Sequence, residues 1–289
     1  MNALENSGTT RSRPGGAGLL GFALLLMLAG MMVTTLWVRM WFLAAGGYFC
    51  MKAWVLWKTR AASGDVAIWV WLCPTLNLTA FLRRRDGPAG EARRLALAGF
   101  VNFTCGAVLL WGVARQFASM PLVAGWVGMT GLILMLHLGV FHIVTAFWMR
   151  MGRAVEPLMK CPVAAESLSD FWGRRWNTAF RDAINLLVFR PVAQRWGAKE
   201  AHWLVFLVSG LLHEVVISLP AQGGWGGPTA YFLLQAAGIA LGRRLRIPRG
   251  IASRLWAWVF LIAPVGLLFH PPFVHAVMLP FFQTLGALP

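Results

Sequence analysis

The chain has 289 residues, of which 58% are hydrophobic and only 12% charged, with a mean hydropathy of +0.64. A water-soluble globular domain does not carry that balance, and the 16 Trp and 19 Phe reinforce the reading of an all-α, multi-pass integral membrane protein. The formal net charge of +16 would suit nucleic acid, but the basic residues sit in short clusters between apolar runs, as positive-inside retention requires, and this argues against such a partner. In chain order, residues 1–18 are polar and glycine-rich, with Arg11 and Arg13, and are expected to form a disordered tail ahead of a single membrane domain over 19–289. The apolar run 19–38 lacks a small-residue cleavage site and reads as a retained span, not a removed signal peptide. A second span over 40–57 ends in Lys58 and Arg60. The segment 66–82 is interrupted by Pro74 and Asn77 and leads into Arg83, Arg84, Arg85, Arg93 and Arg94. If it crossed, those five arginines would face opposite to Lys58 and Arg60, so a re-entrant or interfacial helix on the cytoplasmic side is expected. Spans over 95–113, 122–149, 202–219, 228–241 and 255–269 follow, with the basic segment 150–199 and the cluster Arg243, Arg244, Arg246, Arg249 and Arg254 inside. Only Arg39 and Arg115 then lie on the far side, which makes about seven spans, with a possible eighth element over 273–285.

The four cysteines, Cys50, Cys73, Cys105 and Cys161, show no CxxC pair or metal spacing and read as small hydrophobes. No internal repeat of the transporter kind is present.

His213 and Glu214 stand side by side inside the apolar run AHWLVFLVSGLLHEVVISLP. At ~1.5 Å of rise per residue, His213 lies roughly 15 Å beyond Trp203, near the middle of a hydrocarbon core about 30 Å thick. An ionisable side chain at that depth costs ~2.5 kcal/mol or more, so the pair reads as a functional site facing the protein interior.

Polar residues also gather in SLSDFWGRRWNTAFRDAINLLVFRP. Ser167 followed by Asp170 resembles a capping box and predicts a helix start after Pro162. Along that helix Asp170 and Arg174 fall at i, i+4, while Trp172 and Trp176 share one face and Arg174 and Asn177 another. An amphipathic, interface-lying helix is expected, too polar to span.

The strings SLSDFWGRRWN, VSGLLHE and LLFHPP resemble the corresponding pieces of wax synthases, within the membrane-bound O-acyltransferase superfamily. The resemblance covers residues 167–272 in register, whereas the first 160 residues agree only in being multi-span. It implies a helical bundle enclosing an intramembrane reaction chamber. In that chamber an acyl group passes from acyl-CoA, the co-substrate, to a hydroxyl acceptor, most simply a lipophilic long-chain alcohol to give a wax ester. His213 matches the family's active-site histidine and Asn177 the polar residue of the first motif. The chemistry suits both assignments: a neutral imidazole takes the alcohol proton during attack on the thioester, and an uncharged amide orients the reactants or hydrogen-bonds the oxyanion. No metal or redox cofactor is called for.

Glu214 lies about 100° round the helix from His213, so it is expected in a supporting role, paired with an arginine, or protonated. Ser209, one turn before His213, is a candidate substrate contact, with a hydroxyl bonded back to the Val205 carbonyl as the plainer expectation. Arg174, Arg175, Arg181, Arg190, Arg195 and Lys199 are candidates for CoA phosphates, with anionic lipid headgroups and topology as the alternative. Trp172 and Trp176 are candidate substrate walls or interface anchors, and Asp170 a supporting residue. His137, His142, His202, His270 and His275 receive no role, and the absence of a second histidine in HExxH spacing disfavours a zinc protease. A transporter or flippase with a His213–Glu214 relay is the alternative class. The excess of arginine over lysine, 22 to 4, hints at a GC-rich bacterium and so at an inner membrane.

Overall fold

A computed structural model describes residues 14–60, 64–85 and 87–289. Helices α1 (Pro14–Met32) and α2 (Leu36–Thr59) form an antiparallel hairpin. Helix α1 begins at Pro14, earlier than the apolar run suggested, because proline's fixed φ and missing N–H suit a first helical turn. The rest of the expected tail, residues 1–13, lies outside the described residues. Helix α1 also stops short of the expected span: the Arg39 guanidinium, one turn into α2, donates to the Val33 carbonyl at 3.1 and 2.8 Å and satisfies the end of α1.

The interrupted segment makes two short helices, α3 (Asp65–Leu72) and α4 (Leu78–Leu82), neither long enough to cross. This matches the re-entrant reading, and α2 supplies what holds it. Lys52, wholly buried, donates from Nζ to the carbonyls of Trp69 (2.6 Å), Val70 (2.9 Å) and Cys73 (2.6 Å) where α3 ends, alongside the Cys73 N–H on Trp69 O and the Tyr48 hydroxyl on Cys73 O. Its ammonium also sits 4.5 Å from the Trp69 ring centroid.

Among the described residues, four helices are long and apolar enough to cross a membrane: α5 (Gly90–Gln116), α6 (Pro121–Arg150), α9 (Ala198–Ala221) and α11 (Ile251–Leu268). The other expected crossings are the hairpin α1–α2 and α10 (Gly227–Arg244), which are shorter, less apolar or carry charges. Between α6 and α9 run α7 (residues 168–175) and α8 (178–196), and α12 (271–284) closes the chain. Helices α5 and α6 touch backbone to backbone: a Cβ on Gly106 would lie 2.5 Å from the Gly131 carbonyl.

Hydrogen bonds sort the helix ends onto two faces. Arg85 N–H donates to Gly152 O and Ala154 N–H to Arg83 O, both at 3.0 Å, while Ser253 Oγ donates to Glu166 O at 2.6 Å. The basic clusters before α5, after α6 and after α10 therefore share one face, as the charge pattern requires. On the other face Trp111 Nε1 donates to Leu285 O at 3.1 Å and the His270 ring packs against Gly224. Both ends of α12 thus lie on the far face, and the possible eighth element does not cross.

Two apolar clusters form the core. One joins the start of α2, the end of α5, α6, α7 and α9–α12; the other joins α1–α4, the start of α5, the end of α6 and α8. Among the described residues there is no strand, only an isolated bridge between Arg84 and Arg153.

Candidate active site

His213 is the last residue of the regular α-helical part of α9, and a π-helical turn, Glu214–Ser218, follows it. Such a wide turn re-aims side chains relative to the preceding helix and is frequent at functional positions. The imidazole is anchored from both sides. Its Nδ1 lies 2.7 Å from the Ser209 carbonyl, and its ring packs on Phe232 of α10 at a centroid distance of 4.5 Å. A carbonyl only accepts, so Nδ1 carries the proton, and the lone pair of the neutral ring falls to Nε2. Nε2 has no hydrogen-bond partner among the described residues. That is the tautomer a general base needs. The Ser209 hydroxyl donates to Val205 O at 2.8 Å, so what Ser209 gives this site is its carbonyl.

Glu214 meets none of the expected arginines. Its Oε1 accepts from the backbone N–H (3.0 Å) and hydroxyl (2.9 Å) of Thr229, in the first turn of α10. A carboxylate there takes up open N–H groups and the positive end of the helix dipole. The two helices can close to that distance because Gly210 faces Thr229: a Cβ on Gly210 would lie 2.6 Å from Thr229 Cα. Glu214 therefore locks the helix that carries His213 to the one that carries Phe232.

The first motif docks on the same pair of helices. Ser167 caps α7 by accepting from Asp170 N–H at 3.1 Å, as its spacing predicted. Asp170, 3% exposed, accepts from Glu166 N–H (3.0 Å), Arg174 Nε (2.7 Å) and Arg175 Nε (2.6 Å). Burial raises its pKa, but those donors outweigh burial and hold the carboxyl below its ordinary range. Arg175 is thus committed to Asp170 and faces the Lys160 and Cys161 carbonyls, whereas Arg174 leaves most of its surface exposed.

Helix α7 ends earlier than expected. Trp176 is extended and Asn177 left-handed (φ 43°, ψ 60°), so neither stands on the helix and the face-sharing read for them does not hold. Asparagine adopts that conformation readily. Its Oδ1 accepts from Phe180 N–H at 3.2 Å, capping α8, which leaves the Nδ2 amide as the group available to a ligand. No contact joins Asn177 to His213 directly. What rings connect to His213 is Trp172 of the first motif, not Asn177: Trp172 packs on Phe232 at 5.4 Å, and Phe232 packs on His213. The two tryptophans are half-buried and pack against the core of the protein. Trp176 stacks between Phe171 (5.5 Å) and His137 of α6 (5.8 Å, planes 16° apart).

Several residues of this assembly carry no warning in a sequence read span by span. Gln235, fully buried, accepts from Trp172 Nε1 at 3.3 Å and donates to Phe260 O at 2.7 Å. Its only signal is one amide in the apolar run FLLQAAGIA. His137 and Thr229 find their partners only once α6, α7 and α10 are in place. His270, of the third motif, accepts at Nδ1 from Phe273 N–H (3.2 Å) and lies 3.3 Å from Ser218 Oγ through Nε2, a cap for α12. Among the described residues no group of three or more metal-ligating side chains is found.

Residues 155–234, which contain the first two motifs, match the Membrane bound O-acyl transferase family. The chain is 31% identical over 195 residues to probable long-chain-alcohol O-fatty-acyltransferase 6 of Arabidopsis thaliana, covering 61% of this chain and 56% of the relative. It is 32% identical over 143 residues to a long-chain-alcohol O-fatty-acyltransferase of Simmondsia chinensis, covering 43% and 40%. A shorter match, 33% over 69 residues, is to acyl-CoA–sterol O-acyltransferase 1 of Arabidopsis thaliana, covering 22% and 20%. The chain spans about half the length of the relatives it matches.

Proposed function

From its likeness to the wax synthase-like members of the membrane bound O-acyl transferase family, we propose that this integral membrane protein transfers a fatty acyl group from acyl-CoA to a long-chain alcohol. The observation that carries the mechanism is the 2.7 Å hydrogen bond from His213 Nδ1 to the Ser209 carbonyl. It holds the ring with Nε2 unprotonated. In the reaction Nε2 removes the hydroxyl proton as the alcohol oxygen bonds to the thioester carbonyl carbon. The tetrahedral intermediate then expels the thiolate, and the imidazolium returns the proton to sulfur, so ester and free thiol leave and the histidine is neutral again. Asn177 supplies its Nδ2–H to the oxyanion, since its Oδ1 is engaged by the Phe180 N–H. A fixed donor of that kind is worth ~3 kcal/mol in the transition state. The chamber for this chemistry lies within the helices that carry Phe232 and Trp172, and no metal or redox step enters.

The transport reading needs Glu214 as the second member of a proton relay, but Oε1 of Glu214 is taken up by Thr229. The acceptor class follows the relatives' names, a long-chain alcohol first, with a sterol as the second candidate. The bacterial inner membrane stays an expectation of the arginine excess alone, since the matched relatives named above are plant proteins.

The test is to incubate membranes holding the full chain with labelled acyl-CoA and a panel of fatty alcohols, diacylglycerol and sterol, for wild type and His213→Ala. Wild type is expected to form ester and the variant to lose ~10²–10⁴-fold in turnover. No ester with any acceptor sinks the reading, and equal ester from both removes His213 as the base.

A further inference from the structure

Away from His213, α7 and the loop joining α10 to α11 enclose a cleft of about 570 Å³. Five of its sixteen lining residues are arginines, Arg174, Arg243, Arg246, Arg249 and Arg254, and one, Glu166, is an acid. Only Arg174 has a carboxylate partner, the Asp170 already described, and the other four have none among the described residues. Topology alone asks for basic residues on this face, but it does not ask for them to line one concavity. Guanidinium groups gathered in a cleft repel one another, and the arrangement is relieved when an anion sits among them.

The walls are fixed before any ligand arrives. Ser253 Oγ donates to Glu166 O at 2.6 Å and to Gly250 O at 3.1 Å, which ties the loop to the start of α7. Trp256 Nε1 donates to Gly238 O at 3.0 Å, tying α11 to α10. A site with forked donors on rigid supports suits phosphate oxygens, which guanidinium groups bind two at a time. Its volume falls in the range of small-molecule and cofactor sites, about 300–1,000 Å³.

We infer that this arginine-lined cleft binds a phosphate-bearing anion. Resting on the acyl-transfer reading, that anion is the nucleotide end of the thioester donor. The spacing agrees with an elongated molecule: along α10, Gly238 and Arg243 lie roughly 9 and 17 Å from Phe232, the ring that holds His213. The phosphates would sit at the basic face while the thioester reaches inward along one helix. The assignment replaces Arg175 and Arg181, which are engaged by Asp170 and Asp182, with arginines of a loop remote in sequence from both motifs.

The experiment uses the full chain in detergent, as wild type and as Arg246→Gln/Arg249→Gln, which leaves Arg174, Asp170 and the motif residues untouched. Three readouts are taken: equilibrium binding of adenosine 3′,5′-bisphosphate, binding to phosphatidylglycerol against phosphatidylcholine vesicles, and kcat and KM for acyl-CoA. If the donor's phosphates occupy the cleft, the double variant binds the bisphosphate about tenfold or more weakly and its KM rises by a similar factor, with kcat within about twofold. Each lost charge-assisted bond is worth about tenfold. Loss of phosphatidylglycerol preference with bisphosphate binding and KM unchanged supports the phosphate site and assigns it to a lipid headgroup. No change in any readout overturns the inference. If wild type binds the bisphosphate yet forms no ester, the acyl-transfer reading fails while the cleft's ligand class stands.

Discussion

Replacing Gln235 by leucine separates two hydrogen bonds that hold the first motif in place. Gln235 is fully buried; its Nε2 donates to Phe260 O at 2.7 Å and its Oε1 accepts from Trp172 Nε1 at 3.3 Å. The Phe260 carbonyl needs that donor because the residue four positions on is Pro264, which has no N–H to close the helical bond. Tyr231, one turn earlier on α10, serves the next carbonyl, Leu261 O, at 3.3 Å. Gln235→Leu keeps the volume and leaves an indole N–H and a carbonyl without partners. At the middle of the ~1–3 kcal/mol range for each, the two together cost about 4 kcal/mol, and burying a leucine returns about 2 kcal/mol, so a net loss of about 2 kcal/mol is expected. Reversible unfolding in mixed micelles, followed by tryptophan fluorescence, measures it. A double variant with Trp172→Phe removes the indole donor as well and should recover about 1 kcal/mol of the sum. A loss below ~0.6 kcal/mol, the average for one interhelical bond in a membrane protein, would falsify the claim that this amide closes the Pro264 gap.

Asp170→Asn should lower stability near neutral pH by about 1–2 kcal/mol, the smaller end applying because Arg174 is mostly exposed. Since the folded carboxyl titrates below its ordinary value, its contribution is full above about pH 4 and is lost as pH falls through the lowered value. The wild-type acid limb should therefore be steeper than the variant's, and identical limbs in a pH series of melting curves would remove Asp170 from the account. Gly210→Val places a side chain where even a Cβ lies 2.6 Å from Thr229 Cα. It should cost ~1–3 kcal/mol by overpacking and reduce ester formation with it; unchanged thermal unfolding and activity would count against the Gly210–Thr229 approach. Lys52→Met leaves the Val70 carbonyl, four residues before Pro74, without a donor, and takes one of two donors each from Trp69 O, which keeps the Cys73 N–H, and Cys73 O, which keeps the Tyr48 hydroxyl. A loss of about 1–3 kcal/mol is expected, together with protease cutting near Arg84 in sealed vesicles, and a protected, fully stable variant would argue against the pin.

Four of the expected crossings were legible because a span writes itself in twenty or so local residues, and the face of each basic cluster followed from counting arginines between spans. The breaks were less legible. Asn177 could stand in a helix as well as leave it, and its left-handed conformation is set by the Phe180 N–H that its side chain meets. Glu214 offered an arginine partner on paper, while its actual partner is the backbone of Thr229 at the start of the next helix. Gln235 lay in plain view in an apolar run, but its purpose depends on a proline 29 positions on in the sequence. The arginine cleft is built from residues 166–174 and 238–256, segments whose proximity no spacing rule announces.

Lys52 has a further consequence that concerns the order of synthesis. Chains emerge from the amino end at about 5–20 residues per second, so α2 and its ammonium are in place before Trp69, Val70 and Cys73 follow. The arriving segment, apolar enough to be taken for a membrane helix, meets a charged donor that has no other acceptors and that closes on its carbonyls. With Lys52 downstream of α3, the segment would have to choose its side before its anchor existed. In this chain the anchor comes first, ahead of the segment it holds and of the arginines after α4.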